Sequence, residues 1–407
     1  MKTFIKRSHY EKLIKPYIGK DLIKVLIGQR RVGKSYILKQ TIELVKKEKK
    51  TTDKNILYID KELYEFDGIR NYEDLIDTVQ KRFKNIKNKK YLFIDEVQEI
   101  QEFHKAIRSL NANGDYDIYI TGSNADILSS DIANSLGGRY ISFKIYSLSY
   151  TEFLNFHKLK SGKKSLLKYL QYGGMPYLIN LEENEELRYS YLKEIYSSIL
   201  LKDIVSRYEI RNLVFLERLI LFLADNTGSL FSAKSISDYL KSENLSISPS
   251  VIISYLKYLN NVFFIHQVSR SEVLGKKVFQ TNEKYYFNDL GIRNALIGYR
   301  ANDIAKILEN LVYLELLRRY KKVTIGKLAK DQEIDFIAEK ANTDRVYVQV
   351  AYKLDHEKTI KRELNNLLSI KDNYPKILIT MDELATGNHQ GIKITYLENF
   401  LLEEDLE

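Results

Sequence analysis

The residues with the clearest chemical capacity are Gly28 to Ser35, GQRRVGKS, which follow the apolar run Val25-Leu26-Ile27. Gly28 and Gly33 let the backbone take conformations that a side chain would forbid, so successive N–H groups can turn inward around an anion. Lys34 then reaches the β- and γ-phosphates of a nucleotide, and Ser35 ligates Mg²⁺. The helix beginning near Gly33 adds its positive N-terminal end. Such a cradle needs a strand before it and a helix after it, and residues 24–27 and 35–46 have those patterns.

Two further groups belong with the cradle. The run YLFIDE (91–96) carries four apolar residues straight into Asp95-Glu96. A buried strand ending in two carboxylates sets them at its C-terminal edge, where open α/β sheets bind ligands. There Asp95 supports Mg²⁺ through water, and Glu96 orients or deprotonates the attacking water. The run DIYITGS (117–123) ends beside Asn124, which is a γ-phosphate sensor on one reading and a plain helix cap on the other. Arg139 stands just before the run YISFKIYSL (140–148), at the edge of the module and away from its own cradle.

These groups need a scaffold, and the pattern of residues 1–150 supplies one. Five apolar runs, beginning at residues 24, 55, 91, 117 and 140, alternate with helical patterns. Buried parallel strands separated by helices produce this rhythm, so an α/β sandwich is expected.

Composition narrows the class. The 407 residues imply about three domains. No run of 18 apolar residues exists and no signal-type apolar core follows the basic start, so a soluble, cytoplasmic protein away from membranes is expected. The absence of cysteine excludes disulfides, thiolate metal sites and a cysteine nucleophile. The net charge of +10 is local: residues 1–50 hold 15 Lys/Arg against 4 Asp/Glu, and the other 357 residues sum to −1. Those lysines form either a solvated face or a surface for a polyanion.

The ordered set of cradle, Asp-Glu strand end, polar strand end and pre-strand arginine resembles the AAA-type branch of P-loop ATPases. More narrowly, it resembles a prokaryotic family that joins such an ATPase to a C-terminal region of unknown function. The resemblance implies ATP and Mg²⁺ as cofactors, ATP hydrolysis, and a homo-oligomer such as a ring, in which Arg139 completes a neighbour's site. An arginine finger is worth about 10³–10⁵ in rate; a structural arginine paired with an acid is the alternative. Arg30 and Arg31 are also typical of the family, and one or other of them is a candidate phosphate contact.

The rest of the chain divides into three more modules. Residues 151–211 look like the family's helical lid, opened by SLSYTEFL (147–154) and including the Gly173-Gly174-Met175-Pro176 turn. Arg207 near its end is either a second sensor or an exposed helix residue. Residues 212–300 give three helical patterns and a strand pair, which suggests a winged-helix domain; Ser248 and Pro249 start its third helix. That helix offers Lys257 as its one base, so a protein spacer and a DNA reader both fit.

Residues 301–407 resemble a restriction-endonuclease-like α/β core, in which a helix Glu, a strand Asp and a Glu-x-Lys strand hold Mg²⁺. Glu309 and Asp335 fit that resemblance. Gln349 and Ala351 stand where Glu and Lys belong, and Lys353 lies two residues on, on the same strand face. The module carries 16 bases against 19 acids. Loss of nuclease activity is expected, with the fold kept for binding or as scaffold. The combined expectation is an AAA-type ATPase acting as a motor or switch with nucleic acid, DNA favoured. A nucleotide-dependent signalling switch and an ATPase-coupled nuclease are the alternatives.

Overall fold

The computed structural model describes residues 5–129, 134–273, 278–328, 332–341, 344–354 and 357–403. Two compact units result: Met1–Tyr146 with Asn261–Phe263, and Ser147–Asn260 with Phe264–Glu407. Among the described residues no helix is long and apolar enough to cross a membrane.

In the first unit the five apolar runs become β1 (Ile23–Ile27), β2 (Ile56–Asp60), β3 (Lys90–Asp95), β4 (Tyr116–Gly122) and β5 (Tyr140–Lys144). They form one sheet in the order β2-β3-β4-β1-β5, with every neighbour parallel. Its helices are α1 (Ser8–Ile14), α2 (Lys34–Lys49), α3 (Tyr72–Phe83) and α4 (Phe103–Ala112). β1 and β4 are buried at every residue, as a strand covered on both faces must be. α3 and α4 turn Leu75, Val79, Phe83, Phe103, Ile107 and Leu110 into the shared core. The N-terminus of α3 is fixed by a capping box, in which Asn71 accepts from the Asp74 N–H and Asp74 accepts from that of Asn71.

An ion pair lies buried inside this sheet. Lys24 on β1 and Asp117 on β4 are both fully buried and hydrogen-bonded to each other. Lys24 also donates to the Lys20 carbonyl at 2.7 Å, and Asp117 accepts from Gly19 N at 2.7 Å and Tyr119 Oη at 3.0 Å. Burial holds the Lys24 pKa below its ordinary value, against the pull of Asp117.

The second unit is built on an eight-stranded mixed sheet. Its strands are β6 (Ile265–Glu272), β7 (Val278–Phe287), β8 (Lys322–Lys327), β9 (Glu333–Glu339), β10 (Arg345–Ala351), β11 (Lys376–Thr380), β12 (Gly387–His389) and β13 (Ile392–Tyr396). Their order is β12-β13-β11-β10-β9-β8-β6-β7. The helices are α5 (Tyr150–His157), α6 (Lys163–Tyr172), α7 (Glu185–Ser198), α8 (Leu213–Asp225), α9 (Ala233–Ser242), α10 (Pro249–Asn261), α11 (Leu290–Ile297), α12 (Ile304–Arg319), α13 (Glu357–Leu368) and α14 (Leu397–Leu402). α7 runs on into a π-helical stretch, Ile199–Ser206.

The sheet crosses the boundary expected at residue 300. The three helices of the expected winged-helix domain form, with Pro249 opening the third. The hairpin β6–β7, however, pairs in parallel with β8, through Arg270 opposite Ile325. A wing standing free of the C-terminal module is therefore not what the structure contains. The segment expected as a lid likewise buries Tyr150, Phe153, Leu166, Tyr169 and Leu170 in the core shared with α12, β9 and β10. The Gly173-Gly174 turn is held there by Asp289, which accepts from the Gly174 N–H at 2.9 Å and caps α11 through the Ile292 N–H. The other face of the sheet packs Ile334, Tyr347 and Leu378 under Leu364 and Leu367 of α13.

The Lys24–Asp117 pair makes a stability prediction. Asp117→Ala strands a buried ammonium and should lower stability by about 3–5 kcal/mol in urea unfolding. Combining Lys24→Met with Asp117→Leu should recover most of that loss, because neither charge is then left alone.

Candidate functional site

In a parallel sheet all strand C-termini lie at one edge, and here β1, β3 and β4 each deliver part of the site to it. β1 leads through residues 28–33 into α2. A Cβ on Gly28 would lie 2.2 Å from the Ile145 carbonyl oxygen, so the chain passes there only without a side chain. Gly33, at φ 99°, is the left-handed residue that starts α2. Lys34 is buried, and its ammonium donates to the carbonyls of Gly28 at 3.1 Å and Gln29 at 3.2 Å. It also lies 3.5 Å from Glu96 Oε1.

Asp95 ends β3 and is buried. It accepts from Thr121 Oγ1 at 2.5 Å, from Tyr58 Oη at 3.2 Å, and from the Ser35 hydroxyl. Burial raises its pKa, with the charges of Glu96 and Asp60 adding and the Thr121 and Ser35 hydrogen bonds opposing. Glu96 differs. Burial pushes its carboxyl up, but Lys34, Gln98 and Arg30 outweigh that and hold it below the usual range. Neighbouring carboxylates are thus driven in opposite directions, the pattern of a pair with different tasks. The backbone of Glu96 is left-handed, φ 54°, and its N–H donates to Thr121 Oγ1 at 2.9 Å.

The other expected residues fall as follows. Asn124 is fully buried, and its Oδ1 accepts from the Asp126 N–H at 2.6 Å, which is the geometry of the helix-cap alternative. Arg30 reaches Glu62 at 3.5 Å, while Arg31 is exposed. Arg139 is exposed at the start of β5, and its carbonyl accepts from the Ile23 N–H at 2.9 Å. Because β5 runs parallel to β1, Arg139 lies at the sheet edge opposite Gly28, about 20 Å of strand away. Arg207 is half-buried after the π-helical stretch, and Lys257 is exposed.

In the second unit a separate polar cluster forms around Glu309 and Asp335. Lys284 on β7 donates to Glu309 at 2.7 Å and lies 3.8 Å from Asp335, while Tyr286 Oη also donates to Glu309. Gln349 accepts from the Asp335 N–H at 3.3 Å and donates to Glu363 at 2.8 Å. Burial raises the Asp335 pKa, with the charge of Glu309 adding to it. The cluster borders a cavity of about 740 Å³ that also touches Arg270, Lys327 and Asn366. Ala351 is buried in the core, and Lys353 is exposed with its ammonium 5.6 Å from the Tyr352 ring centre, so Lys353 does not join. Among the described residues no group of three or more His, Cys, Asp or Glu is arranged to hold a metal ion.

Sequence reasoning missed Thr121, Tyr58, Gln98, Lys284 and Glu363. Thr121 had a signal, being a polar residue at the end of a buried strand. Lys284 had a weaker one, a single charge between Glu283 and the aromatic pair Tyr285-Tyr286.

Residues 20–154 match the model of an AAA domain, and residues 163–303 match a domain of unknown function (DUF8612). An uncharacterized protein of Haemophilus influenzae is 38% identical over 406 residues, covering 99% of this chain and 100% of its own. An uncharacterized protein of Methanocaldococcus jannaschii is 33% identical over 382 residues, covering 89% of this chain and 82% of its own. The structure of a Walker-type ATPase from Pyrococcus abyssi aligns with 72% of this chain and 96% of its own, with 17% identity and a TM-score of 0.49. The chain therefore belongs to the family of these Haemophilus and Methanocaldococcus proteins, with an AAA domain on the parallel sheet and a domain of unknown function after it.

Proposed function

We propose that this protein is an Mg²⁺-dependent ATPase of the AAA type, working as an oligomer whose turnover is coupled to nucleic acid, DNA favoured. The observation that carries the reading is the meeting of Lys34, Ser35, Asp95 and Glu96 at one sheet edge, with Ser35 hydrogen-bonded to Asp95 and Lys34 beside Glu96. The cradle fits a triphosphate: Gly28 leaves room that a Cβ would fill, and Lys34 is held on loop carbonyls that a phosphate oxygen can outbid. Ser35 and Asp95 are the donors for the cation, which when bound draws charge from the phosphate oxygens. Lys34 binds the β- and γ-phosphates, and Glu96 takes the proton of the attacking water. Asn124 holds the turn at the end of β4 in the sensor position.

Arg139 supports the oligomeric part. It is exposed and stands at the sheet edge opposite its own cradle, so its catalytic use requires a second subunit. Support for a nucleic-acid partner is the basic N-terminal segment, in which Lys12, Lys15, Lys20, Lys47, Lys49 and Lys50 are exposed. A nuclease reading of the second unit is disfavoured, because the Lys284 ammonium occupies the space beside Glu309 and Asp335 where a cation would be required.

Three outcomes test these assignments. Lys34→Ala should abolish binding of a fluorescent ATP analogue, whereas Glu96→Gln should bind it normally and hydrolyse ATP about 10²-fold or more slowly; normal hydrolysis by Glu96→Gln removes the base assignment. Arg139→Ala and Lys34→Ala proteins, each inactive alone, should recover ATPase activity when mixed, and the wild-type rate per subunit should rise with protein concentration and with added DNA. Supercoiled plasmid incubated with the protein and Mg²⁺ or Mn²⁺ should stay uncut; cutting that disappears in Asp335→Ala would restore the nuclease reading.

A further inference from the structure

Gln98 lies two residues beyond Glu96, on the short turn Val97–Glu99. Its side-chain Nε2 donates to Glu96 Oε2 and lies 3.5 Å from Ser123 Oγ. A carboxylate only accepts, so the amide must turn its NH₂ end to Glu96 and its oxygen away. That oxygen, Gln98 Oε1, is buried and has no hydrogen-bond partner among the described residues. A buried acceptor without a donor is destabilising, so the contact with Glu96 holds the amide in this orientation against a penalty. The space behind the amide is tight as well: a Cβ on Gly122 would come within 2.8 Å of Gln98 Oε1.

The two oxygens of Glu96 therefore have different holders. Oε1 faces the Lys34 ammonium at 3.5 Å, and Oε2 faces Gln98. Lys34 is the residue that the functional reading sends to phosphate, and Gln98 is not. We propose that Gln98 is the positioning residue of Glu96, holding Oε2 while the nucleotide draws Lys34 away and exposes Oε1. Nucleotide capture then releases the base as well as supplying the substrate. Oε1 takes a proton from water as the water oxygen bonds to the γ-phosphorus and the bond from that phosphorus to the bridging oxygen breaks, leaving ADP. The inference rests on the ATPase reading of this site.

The test uses the full chain with Mg²⁺ and ATP, measuring kcat and KM by phosphate release, and Kd with a fluorescent non-hydrolysable ATP analogue. Gln98→Ala should lower kcat about 10- to 100-fold, as misplacing a catalytic group does, and leave KM and the analogue Kd within about twofold. Gln98→Glu keeps the shape but cannot donate at neutral pH, and should lose kcat at least as far. If wild type hydrolyses ATP and Glu96→Gln does not, while both Gln98 variants turn over at the wild-type rate, the positioning role is wrong and the ATPase reading stands. If wild type does not hydrolyse ATP, or Glu96→Gln hydrolyses it normally, the underlying reading fails and the inference falls with it. A Gln98 variant that loses analogue binding together with kcat would mark a structural role instead.

Discussion

The candidate site depends on one hydroxyl. Thr121 Oγ1 donates to Asp95 and accepts from the Glu96 N–H, so it holds the last residue of the neighbouring strand and the residue that follows it. β4 lies between β3, which carries the carboxylates, and β1, which leads to the cradle, and Thr121 itself pairs with Leu26. A single side chain on the middle strand thus fixes the end of β3 relative to the start of the loop. The left-handed turn at Glu96 is costly for a residue with a Cβ, and the Thr121 contact is part of what holds it. Without that turn, the strand's alternation would continue and Glu96 would not come to Lys34.

Charge in the first unit is arranged with similar economy at both sheet edges. At the C-terminal edge, Lys34 holds Glu96 ionised, while the adjacent Asp95 has hydroxyl partners and its pKa rises with burial. At the other edge, the buried Lys24 and Asp117 neutralise each other and hold Gly19 and Lys20 through their backbones. The second pair does no chemistry in the functional reading. It fixes how the chain enters β1, and therefore the register in which β1 presents Gly28. Burying charge is costly unless each charge has partners on every side, and the partners of Lys24 and Asp117 lie on three stretches of chain.

What was legible in the sequence was local. The five strands of the first sheet were readable because parallel strands buried on both faces are continuous apolar runs, and the Asp95-Glu96 pair interrupts one of them. The cradle was readable because its spacing follows from phosphate geometry. What was not legible depends on pairing between distant segments. Nothing near residues 265–287 announces that β6 will lie beside β8, about 50 residues later, so a hairpin following three helices looked like a wing. Lys284 consequently had no visible partners, although it meets Glu309 and Asp335 from two other elements. The helix expected over residues 303–319 forms as α12, although Asn310–Leu316 is buried without interruption and shows little helical period there. Gln98 was passed over because a glutamine in a turn carries no signal until its oxygen is seen to lack a donor.

The second unit also separates sequence families from physical units. The matched domain of unknown function ends at residue 303, one residue before α12 begins. Yet Val268, Tyr286 and Leu290 inside that match are buried in the same core as Leu308, Leu311 and Val312 of α12 and Phe336 of β9. Lys284 and Tyr286, also inside it, satisfy their polar atoms on Glu309, outside it. An isolated segment ending at residue 303 would expose that apolar face and leave a buried ammonium without its counter-charge. The folding unit must therefore run on through the eight-stranded sheet, because burial and charge pairing cross residue 303 even though the sequence match stops there.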